Sequence, residues 1–183
     1  MSLRYSIIAS VISCLVVVSA VGQTVNIPEP DFIGRPYFLD SIKNILSPME
    51  RVDGEVVYKT KALGLGGSEG YLMCTGIKST VRLIKSTIPN VIIKVRENQD
   101  PQDFLFLSMA EIKKENRSFL IVKKAALGDV KKTANNLQLQ FRRIRKDLFE
   151  VILPAGLMPG EYALIGGADS VNGKFKIPCF GVD

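Results

Sequence analysis

The sequence predicts an all-β protein whose strands form an antiparallel β-sandwich, immunoglobulin-like or of a related type. Short runs of β-branched, aromatic and aliphatic residues recur at intervals of roughly 8–15 residues, with turn-forming residues between them. Segment 137–141 alternates between apolar side chains and glutamine, which is typical of a strand with one face in the core and one in water. Segment 157–164 has the pattern of a tight turn that leads into a strand.

The turn in segment 157–164 gives the most specific expectation. Pro159 presets the backbone dihedral of a turn's first central residue, and we expect Gly160 to supply a positive φ after it. Tyr162 and Leu164 then share one face of the strand, because side chains alternate. In two-sheet sandwiches a tyrosine after such a corner often bonds back to upstream backbone. We therefore expect Tyr162 to be buried, with its hydroxyl group bonded to the backbone.

The N-terminal residues have the pattern of a secretory signal peptide. Arg4 is the only charged residue among the first 28, and the 17 residues 5–21 are apolar or small. Val18, Ser19 and Ala20 match the small residues of a cleavage site. A retained anchor helix is one alternative, but its length of about 26 Å is short for a bilayer core of roughly 30 Å. Lipidation of Cys14 is another, although Cys14 comes early in the apolar run.

The predicted organisation has three parts: a signal peptide over 1–20, an extended lead-in and short helix over 21–52, and the β-sandwich domain over 53–183. Three prolines between 28 and 36 favour an extended lead-in that is not a packed element. The apolar spacing over 37–46 suits a short amphipathic helix, with Asp40 and Ser41 available as a cap. A strand over 37–39 is the alternative.

The predicted strands follow from residue 53 onward. Asp53 and Gly54 form a hairpin-type turn pair, and the glycine-rich stretch 64–70 is expected to be a hairpin or bulge with no phosphate-binding role. Segment 104–110 is apolar on both faces and is left open between a buried strand and a helix start. The remaining strands are predicted at 56–59, 71–75, 80–84, 91–95, 119–122, 137–141, 148–153, 162–165 and 175–180.

Two cysteines remain after the predicted cleavage, Cys74 and Cys179. In an oxidising compartment an even pair favours a disulfide, which here would close a long loop and add roughly 4 kcal/mol of stability. Two buried thiols that pack as small hydrophobic groups are the alternative. The choice depends on side-chain geometry, and the sequence leaves both open.

The composition argues against most catalytic chemistry. The chain has no histidine, which removes the commonest general base and the commonest metal ligand. No serine nucleophile with a lysine partner and no glycine-rich loop before a helix is present, so neither a cofactor nor a metal site is predicted. A pair of carboxylates for polysaccharide hydrolysis remains open, because the fold and not sequence spacing brings such pairs together.

The basic stretch 113–146 is the strongest partner signal. It carries eleven Lys and Arg residues against two acidic ones, an excess of nine charges in a chain whose net charge is +6. Such an excess suits an anionic glycan, lipid headgroups or an acidic protein surface. Lysines and arginines that protect edge strands from aggregation are the alternative explanation. The candidate binding residues are Lys123, Lys124, Lys131, Lys132, Arg142, Arg143, Arg145 and Lys146.

The corner at 157–163, followed by the C-terminal segment 179–183, resembles a pattern in small exported β-sandwich proteins of unknown function from Gram-negative bacteria. The resemblance covers the last third of the chain. It implies a sandwich fold and an envelope location, and it carries over neither activity nor site residues.

Together these observations predict an exported, non-enzymatic binding or accessory subunit of the cell envelope, in the periplasm, on the outer-membrane surface or secreted. Its expected partner is an envelope protein complex or an anionic glycan or lipid, and not nucleic acid, because no aromatic residues are interleaved with the charges. Membrane association is expected only through a partner or an uncleaved N-terminus. A small envelope hydrolase that uses a carboxylate pair is the alternative.

Overall fold

The computed structural model describes residues 26–60, 67–124, 130–131, 136–166, 170–171 and 174–183. The predicted signal peptide, Cys14, the first part of the glycine-rich stretch (64–66) and Lys132 lie outside these residues. The described chain is mostly antiparallel β-structure in two sheets, which confirms the all-β prediction. Two short 3₁₀ turns, Lys85–Thr87 and Pro101–Asp103, are also present.

In chain order the strands are β1 (Pro36–Asp40), β2 (Ile45–Pro48), β3 (Glu50–Thr60), β4 (Ser68–Thr75), β5 (Arg82–Leu83), β6 (Asn90–Lys94), β7 (Phe106–Met109), β8 (Glu111–Lys113), β9 (Asn116–Lys124), β10 (Val130–Lys131), β11 (Asn136–Leu137), β12 (Gln140–Arg145), β13 (Leu148–Ile152), β14 (Gly160–Ile165), β15 (Ser170–Val171) and β16 (Lys174–Val182).

The small sheet has the order β12-β13-β6-β1-β2. The large sheet has the order β10-β9-β4-β3-β16-β14-β7-β11 and curls into a half-barrel. Strands β15 and β5 also pair with β16, and β8 pairs with β9. Strand β16 therefore connects most of the large sheet: it pairs with β3, β14 and β15 in antiparallel fashion and with β5 in parallel.

The main core lies between the two sheets. The small sheet contributes Phe38, Val91, Ile93 and Val151, and the large sheet contributes a second set of buried residues. The latter set includes Leu107, Tyr162, Leu164, Phe180 and Val182, and Leu105, just before β7, packs with them. Because side chains alternate along a strand, the neighbours of these residues face the other side of each sheet and form two further cores.

The concave face of the large sheet encloses the second core, which contains Leu72, Phe119 and Ile177 together with both cysteines. Gly54 lies on this face in the middle of β3, so the predicted turn at Asp53 and Gly54 is wrong. A Cβ atom on Gly54 would lie 2.1 Å from Ile177 Cδ1 and 3.0 Å from the Met73 carbonyl oxygen. Close packing across the curled sheet, and not a turn, requires glycine at this position.

The outer face of the small sheet is covered by the N-terminal lead-in. Ile27 is buried against Leu39, Ile92 and Leu148. The Ile27 carbonyl oxygen accepts a hydrogen bond from Arg145. The expectation of an unpacked lead-in is therefore wrong, because Ile27 fills an apolar surface that the small sheet would otherwise expose.

The predicted helix over 37–46 is a β-hairpin formed by β1 and β2. Phe38 packs between the sheets and Leu39 packs on the outer face, so the segment buries both faces as a strand does. The Asp40 carboxylate accepts hydrogen bonds from the backbone N–H groups of Ile42 and Lys43 and so stabilises the turn. The β-structure consequently begins at Pro36 and not at residue 53.

The corner before β14 confirms the expectation for Tyr162. Its side chain is 1% exposed, and its hydroxyl group donates a 2.7 Å hydrogen bond to the Met158 carbonyl oxygen. Tyr162 and Leu164 both face the main core, as predicted. The positive φ expected at Gly160 is instead at Gly156, with φ of 77°. Gly160 begins the strand, and a Cβ atom there would lie 2.7 Å from Met109 Cε.

The open choice at 104–110 is resolved as strand β7. The single strand predicted over 137–141 is divided between the sheets. Leu137 belongs to β11 in the large sheet, and Phe141 belongs to β12 in the small sheet. Both side chains still pack against the main core. This is possible because the main core lies between the two sheets, and the chain passes beside it when it crosses from one sheet to the other.

Candidate functional site

The first part of the basic stretch lies at one edge of the large sheet. Lys123 and Lys124 end β9, and Lys131 lies opposite Lys123 in the neighbouring strand β10. On the other side of β9, Glu69 of β4 lies opposite Lys123, and 3.5 Å separate Lys123 Nζ from Glu69 Oε1. These three lysine positions are thus adjacent, as the sequence suggested.

The second part of the basic stretch lies at the edge of the small sheet, in and just after β12. Arg142 forms an ion pair with the buried Glu150. Arg145 Nη2 lies 3.0 Å from Glu29 Oε2, and Lys146 Nζ lies 2.6 Å from Glu97 Oε1. Of the four candidate residues Arg142, Arg143, Arg145 and Lys146, three are therefore shown with a carboxylate partner in the chain itself. These carboxylates offset much of the local positive charge.

The strand β12 also contains a bulge. The pairing with β13 shifts between Arg143 and Arg145, so that Arg143 is opposite Phe149 and Arg145 is opposite Leu148. Phe149 packs against the main core and Leu148 belongs to the outer core. The bulge therefore directs Arg143 and Arg145 to opposite faces of the small sheet. The candidate residues are divided between two sheets and, within β12, between two faces.

A buried ion cluster inside the curl of the large sheet is the main feature that the sequence did not predict. Arg117 is 1% exposed, and its Nη1 atom lies 3.1 Å from Glu50 Oε2 and 3.7 Å from Glu161 Oε2. Its Nε atom donates to the Gly76 carbonyl oxygen over 3.0 Å. Burial by itself raises the pKa of Glu50, but hydrogen bonds from Ser79 and Arg117 outweigh that effect and hold this pKa below its ordinary value.

The cluster continues towards the C-terminus. Glu161 accepts a 2.7 Å hydrogen bond from the Ser79 backbone N–H and pairs with Arg82. Arg82 in turn pairs with the terminal residue Asp183. The sequence signal for this cluster is an arginine on the apolar face of a strand, since Arg117 alternates with Phe119 and Ile121.

The two cysteines lie together in the second core. Cys74 in β4 and Cys179 in β16 are both buried free thiols and belong to the same apolar cluster. Arg117 is the residue opposite Cys74 in β9. Of the two arrangements that the sequence left open, the structure has the two buried thiols.

A small cleft of about 240 Å³ reaches Cys74. The polypeptide around it comes from β3, β4 and the starts of β9 and β16, and it includes Gly54, Thr75, Asn116 and Lys174. Cys179 does not line this cleft and is fully buried. Cys74 is therefore the one cysteine of the described chain that borders this cleft.

A second cleft, of about 470 Å³, lies where the chain passes from β11 to β12. We call it the phenylalanine cleft, because Phe104, Phe106 and Phe141 line it with half-buried rings. Gln102, Asn136 and Gln138 contribute amide side chains to its lining, and Asp103 is the one ionisable residue of the lining within the described part of the chain.

The polar groups of the phenylalanine cleft leave hydrogen-bonding capacity unused. Asn136 Oδ1 is enclosed and accepts no hydrogen bond within the described part of the protein. Gln102 and Gln138 are exposed. A carboxamide offers both donors and acceptors, so this rim matches a ligand that carries hydroxyl or amide groups. The sequence did not predict this cleft, because its residues come from three separate segments, 102–106, Ile121 and 136–141.

No group of three or more Cys, Asp or Glu side chains suited to a metal ion occurs among the described residues. Nor does any helix within those residues have the length and apolar character needed to cross a membrane. Comparison with protein-family models, with curated proteins and with solved structures finds no match to this chain.

Proposed function

We propose that this chain is an exported, non-enzymatic binding protein of the cell envelope, which binds carbohydrate in the phenylalanine cleft. The observation that carries the proposal is the composition of that cleft, in which half-buried aromatic rings are combined with a rim of amides. A volume of about 470 Å³ falls in the range of roughly 300–1,000 Å³ that is typical of small-molecule sites.

Carbohydrate matches these groups by its chemistry. A sugar ring has an apolar C–H face, which packs on the face of an aromatic ring, and a rim of hydroxyl groups. Phe106 and Phe141 supply aromatic rings to the lining, and the exposed Gln138 side chain offers the donors and the acceptor that hydroxyl groups need. Asp103 adds one carboxylate acceptor at the rim.

The distribution of carboxylates supports binding over hydrolysis. Glycoside hydrolysis requires two carboxyl groups on either side of the scissile bond, and among the described residues the phenylalanine cleft has one, Asp103. The two carboxylates that do converge, Glu50 and Glu161, are enclosed around Arg117. A lowered pKa keeps Glu50 ionised at neutral pH, so it has no proton to donate to a leaving group.

A second candidate is an anionic glycan, lipid or acidic protein bound at the β9–β10 edge. Lys123 and Lys131 are directly opposed in register, and like charges at such positions are destabilising unless a counter-charge is present. Glu69 supplies one negative charge to this row, and an anionic partner would supply more. Lys124→Glu is expected to weaken retention on a heparin column, whereas Arg143→Glu serves as a control at the other sheet.

The proposed location and architecture rest on the sequence. Residues 1–20 have the pattern of a cleaved signal peptide. The mature protein is then expected to begin between Val21 and Gln23, as N-terminal sequencing of the natively expressed protein will show. We propose a sandwich of immunoglobulin-like or related type, which the tyrosine corner at Tyr162 supports.

The test is a glycan array that includes peptidoglycan fragments and lipopolysaccharide core oligosaccharides, followed by calorimetry with the best-bound glycan. Gln138→Ala is expected to weaken binding at least tenfold. Gln140→Ala is the matched control, because Gln140 is also an exposed glutamine but does not line the phenylalanine cleft. Binding to no glycan, or equal loss in both variants, would contradict the proposal.

A further inference from the structure

The convex face of the large sheet carries charged residues in register across neighbouring strands. Leu72 faces the second core, so the adjacent Tyr71, and Glu69 two residues before it, face the convex side. Glu69 lies opposite Lys59 in β3 and opposite Lys123 in β9. Because neighbouring strands are about 4.8 Å apart, the backbones of Lys59 and Lys123 are roughly 10 Å apart on one face.

Tyr71 fixes the positions of the charged groups around it. Its hydroxyl group donates a 2.8 Å hydrogen bond to Glu69 Oε2. Lys59 Nζ lies 5.1 Å from the centroid of its ring, and Lys113 Nζ of β8 lies 4.7 Å from it. An ammonium group over an aromatic ring is attracted by the negative face of the ring. The second carboxylate oxygen of Glu69 lies 3.5 Å from Lys123 Nζ, so one tyrosine and one glutamate position three lysines.

The lysines of this group reach solvent, whereas the central carboxylate is enclosed. The Glu69 side chain is 10% exposed, against 55% for Lys123 and 40% for Lys113. Lys59 is also exposed, and within the described residues it forms no ion pair, whereas Lys113 pairs with Glu111 of its own strand. A partner in solution therefore meets ammonium groups whose counter-charge at Glu69 lies beneath them.

We propose that Lys59, Lys113 and Lys123 form one docking surface for a polyanionic glycan, a sugar chain that carries carboxylate or sulfate groups. This inference rests on the second candidate function, an anionic partner at the β9–β10 edge. It names that partner and extends the surface from the edge across β4 to β3 and β8. Tyr71 and Glu69 are positioning residues of the surface. The phenylalanine cleft shares no residue with it, so carbohydrate binding in that cleft is independent of this inference.

The chemistry of the surface favours a glycan over a bilayer or a protein. The large apolar side chains of β3, β4 and β9 on this face, Val57, Tyr71, Met73 and Leu120, are buried or half-buried. The surface therefore lacks the exposed apolar groups that enter a membrane interface. It also lacks the exposed aromatic residues and arginines in which protein interfaces are enriched. A lysine ammonium group is a point charge without a fixed fork of donors, which suits anionic groups spaced along a flexible chain.

The test is calorimetry of the full chain with heparin as the polyanionic glycan. Lys59→Gln and Lys113→Gln are each expected to weaken binding about two- to fivefold at low salt, because each removes one exposed charge contact. Lys59→Arg keeps the charge and should bind as the native protein does. Lys85→Gln is the matched control: it removes the same charge from an exposed lysine beside β6 and β13 of the small sheet. The differences should shrink as NaCl is added, since salt screens exposed charges.

Glu69→Gln gives a test of opposite sign. The substitution removes the negative charge from the row, and the glutamine keeps an acceptor oxygen for the Tyr71 hydroxyl group. Heparin binding should become tighter, whereas a glutamate with a purely structural role would leave it unchanged or weaken it. The lysine variants change exposed or half-buried side chains, so they test the proposal even where Glu69→Gln lowers the stability.

Two further measurements distinguish the possible partners. Soluble chondroitin sulfate should displace bound heparin, and poly-glutamate at equal charge concentration should not. Phosphatidylglycerol vesicles should sediment no more protein than phosphatidylcholine vesicles do. Equal displacement by poly-glutamate, or sedimentation that Lys59→Gln abolishes, would assign the surface to an acidic protein or to lipid and overturn the proposal. Absence of heparin binding overturns it together with the second candidate function. Heparin binding that Lys59→Gln and Lys113→Gln leave unchanged overturns this inference alone.

Discussion

Arg117 is the residue on which the interior of the large sheet depends most. Its guanidinium group is buried between Glu50 and Glu161. Replacing it by methionine keeps the bulk but leaves the carboxylate of Glu50 without its cation, whereas Glu161 keeps its ion pair with Arg82. Loss of one partner from a buried ion pair costs about 3–5 kcal/mol. We expect Arg117→Met to lower the free energy of unfolding in urea by about that amount, while Arg143→Met at the exposed edge of β12 changes it little.

The same cluster predicts a pH dependence. The folded-state pKa of Glu50 lies below its ordinary value of 4.5, so the unfolded chain takes up this proton at a higher pH than the folded chain. The stability from the ionised carboxylate is therefore complete above pH 4.5 and is lost as the pH falls through the folded-state pKa. Glu50→Gln should be less stable than the native protein at pH 7, and the two urea midpoints should converge towards pH 3. A constant difference between the midpoints would contradict this assignment.

Tyr162 offers a test of the corner. Its hydroxyl group is the donor to the Met158 carbonyl oxygen, and the ring stacks on Phe180 with centroids 5.5 Å apart. Tyr162→Phe keeps the ring contact and removes the hydrogen bond, so unfolding should cost about 1 kcal/mol less. Tyr58→Phe is the control, because the Tyr58 side chain is 67% exposed. Equal urea midpoints for Tyr162→Phe and the native protein would mean that the hydrogen bond contributes nothing.

At the scale of single elements, the side chain of Ile177 in β16 lies over Gly54 of the neighbouring strand β3 and leaves no space there for a side chain. A Cβ atom on Gly54 would overlap Ile177 Cδ1, and Ile177 is buried and unable to move into solvent. Overpacking of a core costs about 1–3 kcal/mol. Gly54→Ala should destabilise the protein by this amount in urea unfolding. Adding Ile177→Val removes Cδ1 and should restore part of the loss, so the double variant should be more stable than the sum of the two single changes.

The boundaries of elements show where sequence patterns were sufficient. The β-branched run 91–95 lies almost wholly in β6, because its side chains are buried on both faces of the small sheet. The helix prediction over 37–46 was wrong, because the apolar residues that suggested a helix lie on two faces of a β-hairpin and in its turn. The alternation over 137–141 correctly predicted that Leu137 and Phe141 face the core. A pattern of alternation does not show, however, that the chain changes from one sheet to the other.

For the molecule as a whole, the N-terminal lead-in is a third layer over the small sheet. Ile27 completes the outer core with Leu39, Ile92 and Leu148. Truncating a buried isoleucine to alanine costs about 2–5 kcal/mol, and a site in a terminal segment belongs at the lower end. Ile27→Ala should therefore reduce the free energy of unfolding by about 2 kcal/mol. Ile42→Ala, at a side chain that is 96% exposed, should leave it unchanged; a similar loss in both variants would argue against the third layer.

The sequence by itself determined the local properties of this protein. Alternation of apolar residues predicted strands, and the corner pattern predicted the burial and hydrogen bond of Tyr162, because both depend on residues close together in the chain. Only the tertiary structure decided which distant residues meet. It brought Arg117 to Glu50, Glu161 and the cysteine pair, and it divided the basic stretch between two sheets. Curvature of the large sheet, the bulge in β12 and the crossing between sheets set these contacts, and each depends on packing across strands that are far apart in the sequence.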